Sequence, residues 1–173
     1  KVSFSIVRYG NVISSRGSVI PLYKDLILKG IKKLPLTDDR MTRFVISLEK
    51  GVNFVLNCLT ISAGGEIFVP KIPSIKIVDL IETMLKKNAY EIVGIRPGEK
   101  LHEVMIPQEE ARSCIEMHDK FIIIPQLYWW DNKKLHKTII SNGKKVNQEF
   151  EYTSDKNKLW LNIKQLKKII KGN

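Results

Sequence analysis

"VSFSIVRYGNV", residues 2–12, carries the first decision about the fold. Apolar and polar residues alternate and then run together through Ile6 and Val7, the pattern of a strand buried on at least one face. Directly behind it, "SVIPLYKDLILKGI" (18–31) places Val19, Leu22, Leu26 and Ile27 at helical spacing. Gly30 suits the end of that helix. The same logic extends along the chain. "KLPLTD" (33–38) reads as a short strand leading to the loop "DDRMTR". "RFVIS" (43–47) is a strand, with Ser47 placed to cap the helix "LEKGVNFVLNCL". "EIFVPK" (66–71) is a strand, and Pro73–Ser74 open the helix "IKIVDLIETMLKK". "YEIVGI", "HEVMI" and "KFIIIP" are further strands, the last two separated by "PQEEARSCIEM", a short helix or loop. From Tyr128 to Gln148 the patterning decays, which predicts an irregular stretch. "WLNIKQLKKII" (160–170) sets Ile163, Leu166, Ile169 and Ile170 on one helical face, with lysines opposite. The class is α/β, but strands and helices alternate too irregularly for a complete doubly wound sheet.

A chain of 173 residues has room for one ordinary domain and a small appendage. Its 43% hydrophobic and 27% charged residues describe a globular protein. No stretch approaches the roughly 20 apolar residues of a membrane span, and the start is too short and polar for a signal peptide. Cys58 and Cys114 sit in apolar segments, which fits a reduced, cytoplasmic setting better than a disulfide scaffold. The net charge of +11 comes from lysines spread along the chain, so solvation accounts for it more simply than a polyanion or membrane-surface role. No specific nucleic-acid partner is expected.

Several chemistries lack their residues. The ten glycines include no G-x-G pair and no phosphate-binding P-loop. "HEVMI" lacks the second histidine of a zinc-protease helix, and His102, His118 and His136 read as surface or supporting residues; no metal site is expected. Tyr152 and Lys156 in "YTSDK" have the spacing of a short-chain dehydrogenase pair, but Thr-Ser-Asp followed by Asn157 is turn chemistry, not a helix.

Four ordered stretches, "VRYGNVISSRGSVIPLY", "LPLTDDRMTRFVISLEKGVNFVL", "GGEIFVPKIPSIKIVDL" and "VGIRPGEKLHEVMIPQEEAR", together closely resemble the inverting UDP-N-acetylglucosamine 4,6-dehydratases. These are extended short-chain dehydrogenase/reductases of bacterial surface-sugar synthesis. The resemblance runs from Val2 to about Pro125 and resumes weakly at "FEYTSDKNKLWLNIKQL". It implies that residues 1–125 form a UDP-sugar-binding portion with the last Rossmann elements, and that 126–173 form a C-terminal extension ending in an amphipathic helix. It also implies that the dinucleotide-binding half, with the glycine-rich turn, the Tyr-x-x-x-Lys pair and the acid/base residues, would precede Lys1. No catalytic residue can therefore be carried over. NADP is implied for the complete enzyme and none is expected for this chain, which should not turn over alone. In such enzymes a hydride leaves C4 of the sugar, water is lost across C5 and C6, and the hydride returns to C6 with inversion at C5.

The resemblance assigns substrate-binding roles residue by residue. In "GIRPGEKLHE" (94–103) a Pro97–Gly98 turn fixes Arg96 and Glu99. A guanidinium fork grips a diphosphate bidentately, and a carboxylate accepts from ribose hydroxyls. Arg43 resembles the family's second diphosphate arginine, so that Arg43 and Arg96 would clamp one diphosphate. Thr37, Asp38 and Met41 would line a uracil slot, and Asn11 would meet the sugar–diphosphate edge. Arg16 and Ser18 would touch substrate or a neighbouring subunit, Ser18 alternatively capping the next helix. Tyr9 and Gly10 would lie near the nicotinamide; by residue type alone, Gly10 is a turn glycine and Tyr9 an aromatic core residue. A UDP-sugar 4-epimerase, or a non-catalytic nucleotide-sugar or polyanion-binding module, are the other readings. The expected partners are a UDP-sugar and a second copy of the chain, joined through the seam left open along "FSIVRYG".

Overall fold

The structure is a computed structural model that describes residues 2–126 and 133–171, the side chains of 133–136 and 171 excepted. In chain order it forms β1 (Ile6–Val7), β2 (Asn11–Val12), α1 (Val19–Leu28), β3 (Leu34–Leu36), β4 (Thr42–Ile46), α2 (Leu48–Ile61), β5 (Ile67–Pro70) and β6 (Ser74–Lys76). Next come α3 (Ile77–Met84), β7 (Tyr90–Ile92), β8 (Val104–Ile106), a 3-10 turn (Gln108–Ser113), β9 (Cys114–Glu116) and β10 (Lys120–Ile123). The last elements are α4 (Lys133–Asn142), β11 (Lys144–Lys145), β12 (Tyr152–Thr153) and α5 (Ile163–Lys171). The backbone divides into two compact units. One comprises Lys1–Tyr9, Glu49–Lys71 and Val104–Thr153; the other comprises Gly10–Leu48, Ile72–Glu103 and Ser154–Asn173. The two units interleave along the chain. No helix among the described residues is long and apolar enough to cross a membrane.

The first unit is built on a sheet ordered β1-β5-β10-β9-β11, in which β1 runs parallel to β5 and the other pairs are antiparallel. Phe54 and Cys58 of α2 pack with Phe68, Ile115, Ile122 and Ile139 into its core. Burial pushes the Cys58 thiol up to about 11 and that of Cys114 to about 12, so both stay protonated and inert at neutral pH. Arg8 makes a two-pronged ion pair with Glu110 at 2.7 and 3.1 Å and also donates to the Met105 carbonyl. Glu66, wholly buried, accepts from the Ala63 and Gly64 amides and the Ser5 hydroxyl, which removes the cost of an unpaired buried charge.

Three expectations change here. The run 2–12 is not one strand but two strands of two residues each. Among the described residues β1 sits at the sheet edge with a single neighbour, and Val2 and Phe4 before it are 77% and 79% exposed. The stretch 128–148 is not irregular throughout: α4 and β11 occupy much of it, because Ile139 reaches the core as an inward anchor. The part of that expectation on 127–132, and the His136 side chain, lie outside the described residues. Finally, "PQEEARSCIEM" holds both a 3-10 turn and β9. Tyr152 is buried in β12 opposite Ile106, and the chain bends after it, so Tyr152 and Lys156 share no helix face.

In the second unit β4 is central, with β2 parallel on one side and β6 antiparallel on the other, while β3 and β7 form a separate parallel pair. α1, α3 and α5 contribute Ile20, Tyr23, Leu80, Ile81 and Leu166 to a core shared with Leu34, Leu36, Met41 and Val45. Pro73–Ser74 open β6 and not a helix, since Ser74 pairs with Phe44 and the Pro73 carbonyl accepts from Val45. The helix begins only at Ile77. In α1 the buried face carries Ile20 and Tyr23, with Val19, Leu26 and Ile27 packed against the core as their spacing predicts, while Leu22 is half exposed. Gly10 is a close-approach glycine and not a turn glycine. A Cβ there would stand 2.5 Å from Phe44 Cβ and 2.7 Å from the Phe44 carbonyl oxygen.

Candidate functional site

The segment 96–103 is built from its turn outward. Pro97 presets φ for the first central position and Gly98 takes φ +80° at the second, with the Glu99 amide bonded to the Arg96 carbonyl at 3.0 Å. That is a type II turn. The Glu99 carboxylate folds back over it, accepting from the Arg96 amide at 3.3 Å and from the Thr37 hydroxyl at 3.3 Å. Arg43, projecting from β4, fastens the backbone just beyond the turn. Its guanidinium donates to the carbonyls of Thr42, Lys100 and Leu101 at 2.7, 2.9 and 3.0 Å. Glu99 and Glu103 stand 4.0 and 3.9 Å from it and balance its charge.

Glu103 is a second fastening. Its carboxylate accepts from the Asn11 side-chain amide at 2.9 Å and from the Phe44 backbone amide at 3.1 Å. Its own amide donates to the Ser154 hydroxyl, which is bonded in turn to Thr42. The Thr42 hydroxyl also meets His102 Nδ1 at 2.8 Å.

Between these fastenings and α1 lies a cleft of about 210 Å³. Of the residues singled out from the sequence, Asn11, Ser18, Thr37, Met41, Arg43 and Glu99 line it together. Leu36, Val45 and Ile75 supply apolar wall. Ser18 occupies the N-cap position of α1, yet its hydroxyl makes no capping bond. Among the described residues the hydroxyls of Ser14 and Ser18 are buried without a partner, and both residues line the cleft. Ser14 holds φ +61°, an uncommon left-handed conformation for a non-glycine residue. Buried hydroxyls without partners are what a polar ligand would satisfy.

The remaining candidates are placed elsewhere. Arg16 is exposed in the turn before α1 and Arg96 is exposed on the type II turn; neither lines the cleft. Asp38 is engaged by Arg40, whose side-chain and backbone hydrogen bonds hold its carboxyl at about 2. Arg43 thus lines the cleft while Arg96 does not, and the guanidinium of Arg43 serves three carbonyls. Tyr9 is 42% exposed and not a core aromatic. No group of three potential metal ligands occurs among the described residues. Sequence reasoning missed Ser14, Tyr23 and Glu103. The "HE" after the Pro-Gly turn is conspicuous in the sequence, but only the fold reveals that Glu103 turns back to Asn11 and Phe44.

The chain belongs to the polysaccharide biosynthesis protein family, whose pattern matches residues 1–125. It is 47% identical over 169 residues to a UDP-N-acetylglucosamine 4,6-dehydratase (inverting) of Campylobacter jejuni, a match covering 96% of this chain and 51% of that protein. It is 36% identical to a UDP-glucose 4-epimerase of Rickettsia canadensis, over 95% of this chain and 48% of that one. The X-ray structure of Pen from Bacillus thuringiensis superposes with a TM-score of 0.78 at 32% identity, over 99% of this chain and 49% of that one. The chain spans about half the length of these relatives, and its α/β fold is that of a half-size portion of an extended short-chain dehydrogenase/reductase.

Tyr23, at the base of the cleft, donates to the Pro35 carbonyl at 2.8 Å. Burial, and secondarily the charge of Glu99, raise its phenol to about 12. An unfolded tyrosine ionises near 10, so the folded state holds this proton more tightly. Its contribution to stability is complete below about pH 10 and is lost as pH rises toward 12. Urea unfolding of wild type and Tyr23→Phe should show wild type the more stable at about pH 9, with its advantage shrinking by about pH 11. An advantage that does not change with pH would contradict this.

Proposed function

We propose that this chain is the nucleotide-sugar-binding half of a UDP-N-acetylglucosamine 4,6-dehydratase of the inverting type, acting in cytoplasmic synthesis of bacterial surface glycans. The observation that carries the reading is the convergence of Asn11, Ser18, Thr37, Met41 and Glu99 on one cleft, in a chain that matches half of its Campylobacter relative at 47% identity. Glu99 accepts ribose hydroxyls, and Leu36 and Met41 form an apolar wall for the base. Arg96, exposed beside Glu99, supplies the diphosphate-binding fork, while Arg43 serves to hold the segment that presents them. Arg16 and Asp38 act at the margin, as loop contacts.

The reading implies NADP in the complete protein, where it would supply the hydride chemistry at C4. Toward it this chain would present Tyr9, whose ring is 42% exposed. The similarity to UDP-glucose 4-epimerases favours a second reading on the same cleft. Product analysis with the longer protein separates the two: loss of water for a dehydratase, configurational change alone for an epimerase.

Calorimetric titration tests the binding claim. Folded wild type should bind UDP and bind uridine far more weakly. Arg96→Lys should cost about 1.5–3 kcal/mol toward UDP through loss of the bidentate fork, and Glu99→Gln should cost less. Equal affinity for UDP and uridine, or an undiminished Arg96→Lys, would remove the diphosphate assignment.

The open edge of β1, with Val2, Phe4 and Ile6 exposed, is the surface through which we expect the chain to self-associate. Sedimentation velocity should show concentration-dependent dimers or larger species. A strictly monomeric chain at all concentrations would contradict it.

A further inference from the structure

One end of the second unit combines apolar exposure with uncompensated positive charge. The parallel register of β3 and β7, Leu34 opposite Tyr90, sets the segments entering the two strands side by side, and the Leu34 amide donates to the Ala89 carbonyl at 3.0 Å. Lys32 and Lys33 on one segment thus neighbour Lys86 and Lys87 on the other, all four exposed. Among the described residues no carboxylate pairs with any of them. The nearby Asp25 is already bonded to Lys29 at 2.7 Å. Leu28, the last residue of α1, is 86% exposed, the most exposed large apolar side chain among the described residues. Ile31, just beyond the helix, is 42% exposed.

Helix termination explains part of this arrangement and leaves part over. Gly30 takes φ +82°, its amide bonds to the Ile27 carbonyl, and the Ile31 amide bonds to the Leu26 carbonyl. That is a Schellman ending, in which an apolar residue at the position of Ile31 is normal. It gives no role to Leu28, which ends α1 four residues before Lys32 with its side chain in solvent. α5, which packs on α3 through Leu166, adds the exposed Lys164, Lys167 and Lys168 and no acidic residue.

We propose that this end of the second unit, centred on Leu28 and the Lys32, Lys33, Lys86 and Lys87 cluster, docks on the surface of an anionic lipid bilayer. Lysines are drawn to the negative potential of anionic headgroups, and exposed aliphatic side chains between them enter the boundary of headgroup and acyl chain. A nucleic acid fits the same charge less well. The patch has no aromatic side chain for base stacking and no arginine for bidentate readout, and phosphates offer nothing to Leu28.

Flotation of the full chain with vesicles tests the proposal. Wild type should float with phosphatidylcholine vesicles containing about a third phosphatidylglycerol, and not with phosphatidylcholine alone. Binding should fall steeply between about 0.1 M and about 1 M salt. The variant Lys32→Glu/Lys33→Glu/Lys86→Glu/Lys87→Glu should lose on the order of tenfold or more in partitioning. Leu28→Ser, a single exposed change that leaves the fold intact should the charge reversal not, should lose several-fold, on the order of fivefold. Failure of folded wild type to float with anionic vesicles would overturn the proposal, as would retention by the charge-reversed variant. Undiminished flotation of Leu28→Ser, accompanied by equally salt-sensitive binding to duplex DNA, would make the patch a general polyanion surface and would overturn the assignment to lipid.

Discussion

One guanidinium shared among three carbonyls holds the segment that follows the Pro-Gly turn beside the cleft. Segment 99–103 carries no regular structure before β8, and left to itself it would have many conformations. Arg43 removes that freedom by bonding to Lys100 and Leu101 from across the unit while also engaging Thr42 on its own strand. Only a planar fork with several donors can do this, and an ammonium in the same place would hold one carbonyl well and the others poorly. The charge so placed is 16% exposed and would be costly alone; Glu99 and Glu103 at about 4 Å offset it. Glu99 at the start of this segment accepts from Thr37, and Glu103 at its end accepts from Asn11.

A consequence is a division of labour between two arginines that look equivalent in the sequence. Both are followed or flanked by residues typical of anion sites, and both could grip a diphosphate. The fold engages one in architecture and leaves the other on the surface. The distinction depends on where backbone carbonyls point, which is a property of tertiary structure and not of residue type. The same holds for Glu103, whose two acceptor oxygens are committed to Asn11 and Phe44 through neighbours distant in sequence.

Much of the fold was nevertheless legible. The strands at 42–46, 67–70 and 120–123 lie where β-branched and aromatic residues cluster, the strand at 34–36 where two leucines flank Pro35, and α2 and α5 where the apolar spacing is helical. The Pro-Gly turn was readable because only a positive φ at Gly98 completes it. The errors share a cause. "PSIKIVDL" has helical spacing, yet its first residues are claimed by β4 as a sheet partner, and tertiary pairing overrides periodicity. In α4, among the side chains described, Ile139 is buried while its neighbours Thr138 and Ile140 are not, too little for a period to show. Gly10 could not be distinguished from a turn glycine without knowing that Phe44 lies against it. Of the candidate site, six residues converge on the cleft, and the ones that do not, Arg16, Asp38 and Arg96, lie on loops whose direction no local pattern specifies.

The central claim is that Arg43, by its geometry and not merely its charge, holds segment 99–103 against β4. Hydrogen exchange at the Glu99 and Glu103 amides, compared between wild type and Arg43→Lys, tests it most directly. Loss of charged hydrogen bonds worth about 1.5–3 kcal/mol should accelerate exchange at both amides by roughly ten- to a hundredfold, while the amides of β4 itself change little. If Arg43→Lys leaves the Glu99 and Glu103 amides as protected as in wild type, the guanidinium does not hold the segment, and the cleft owes its shape to something else.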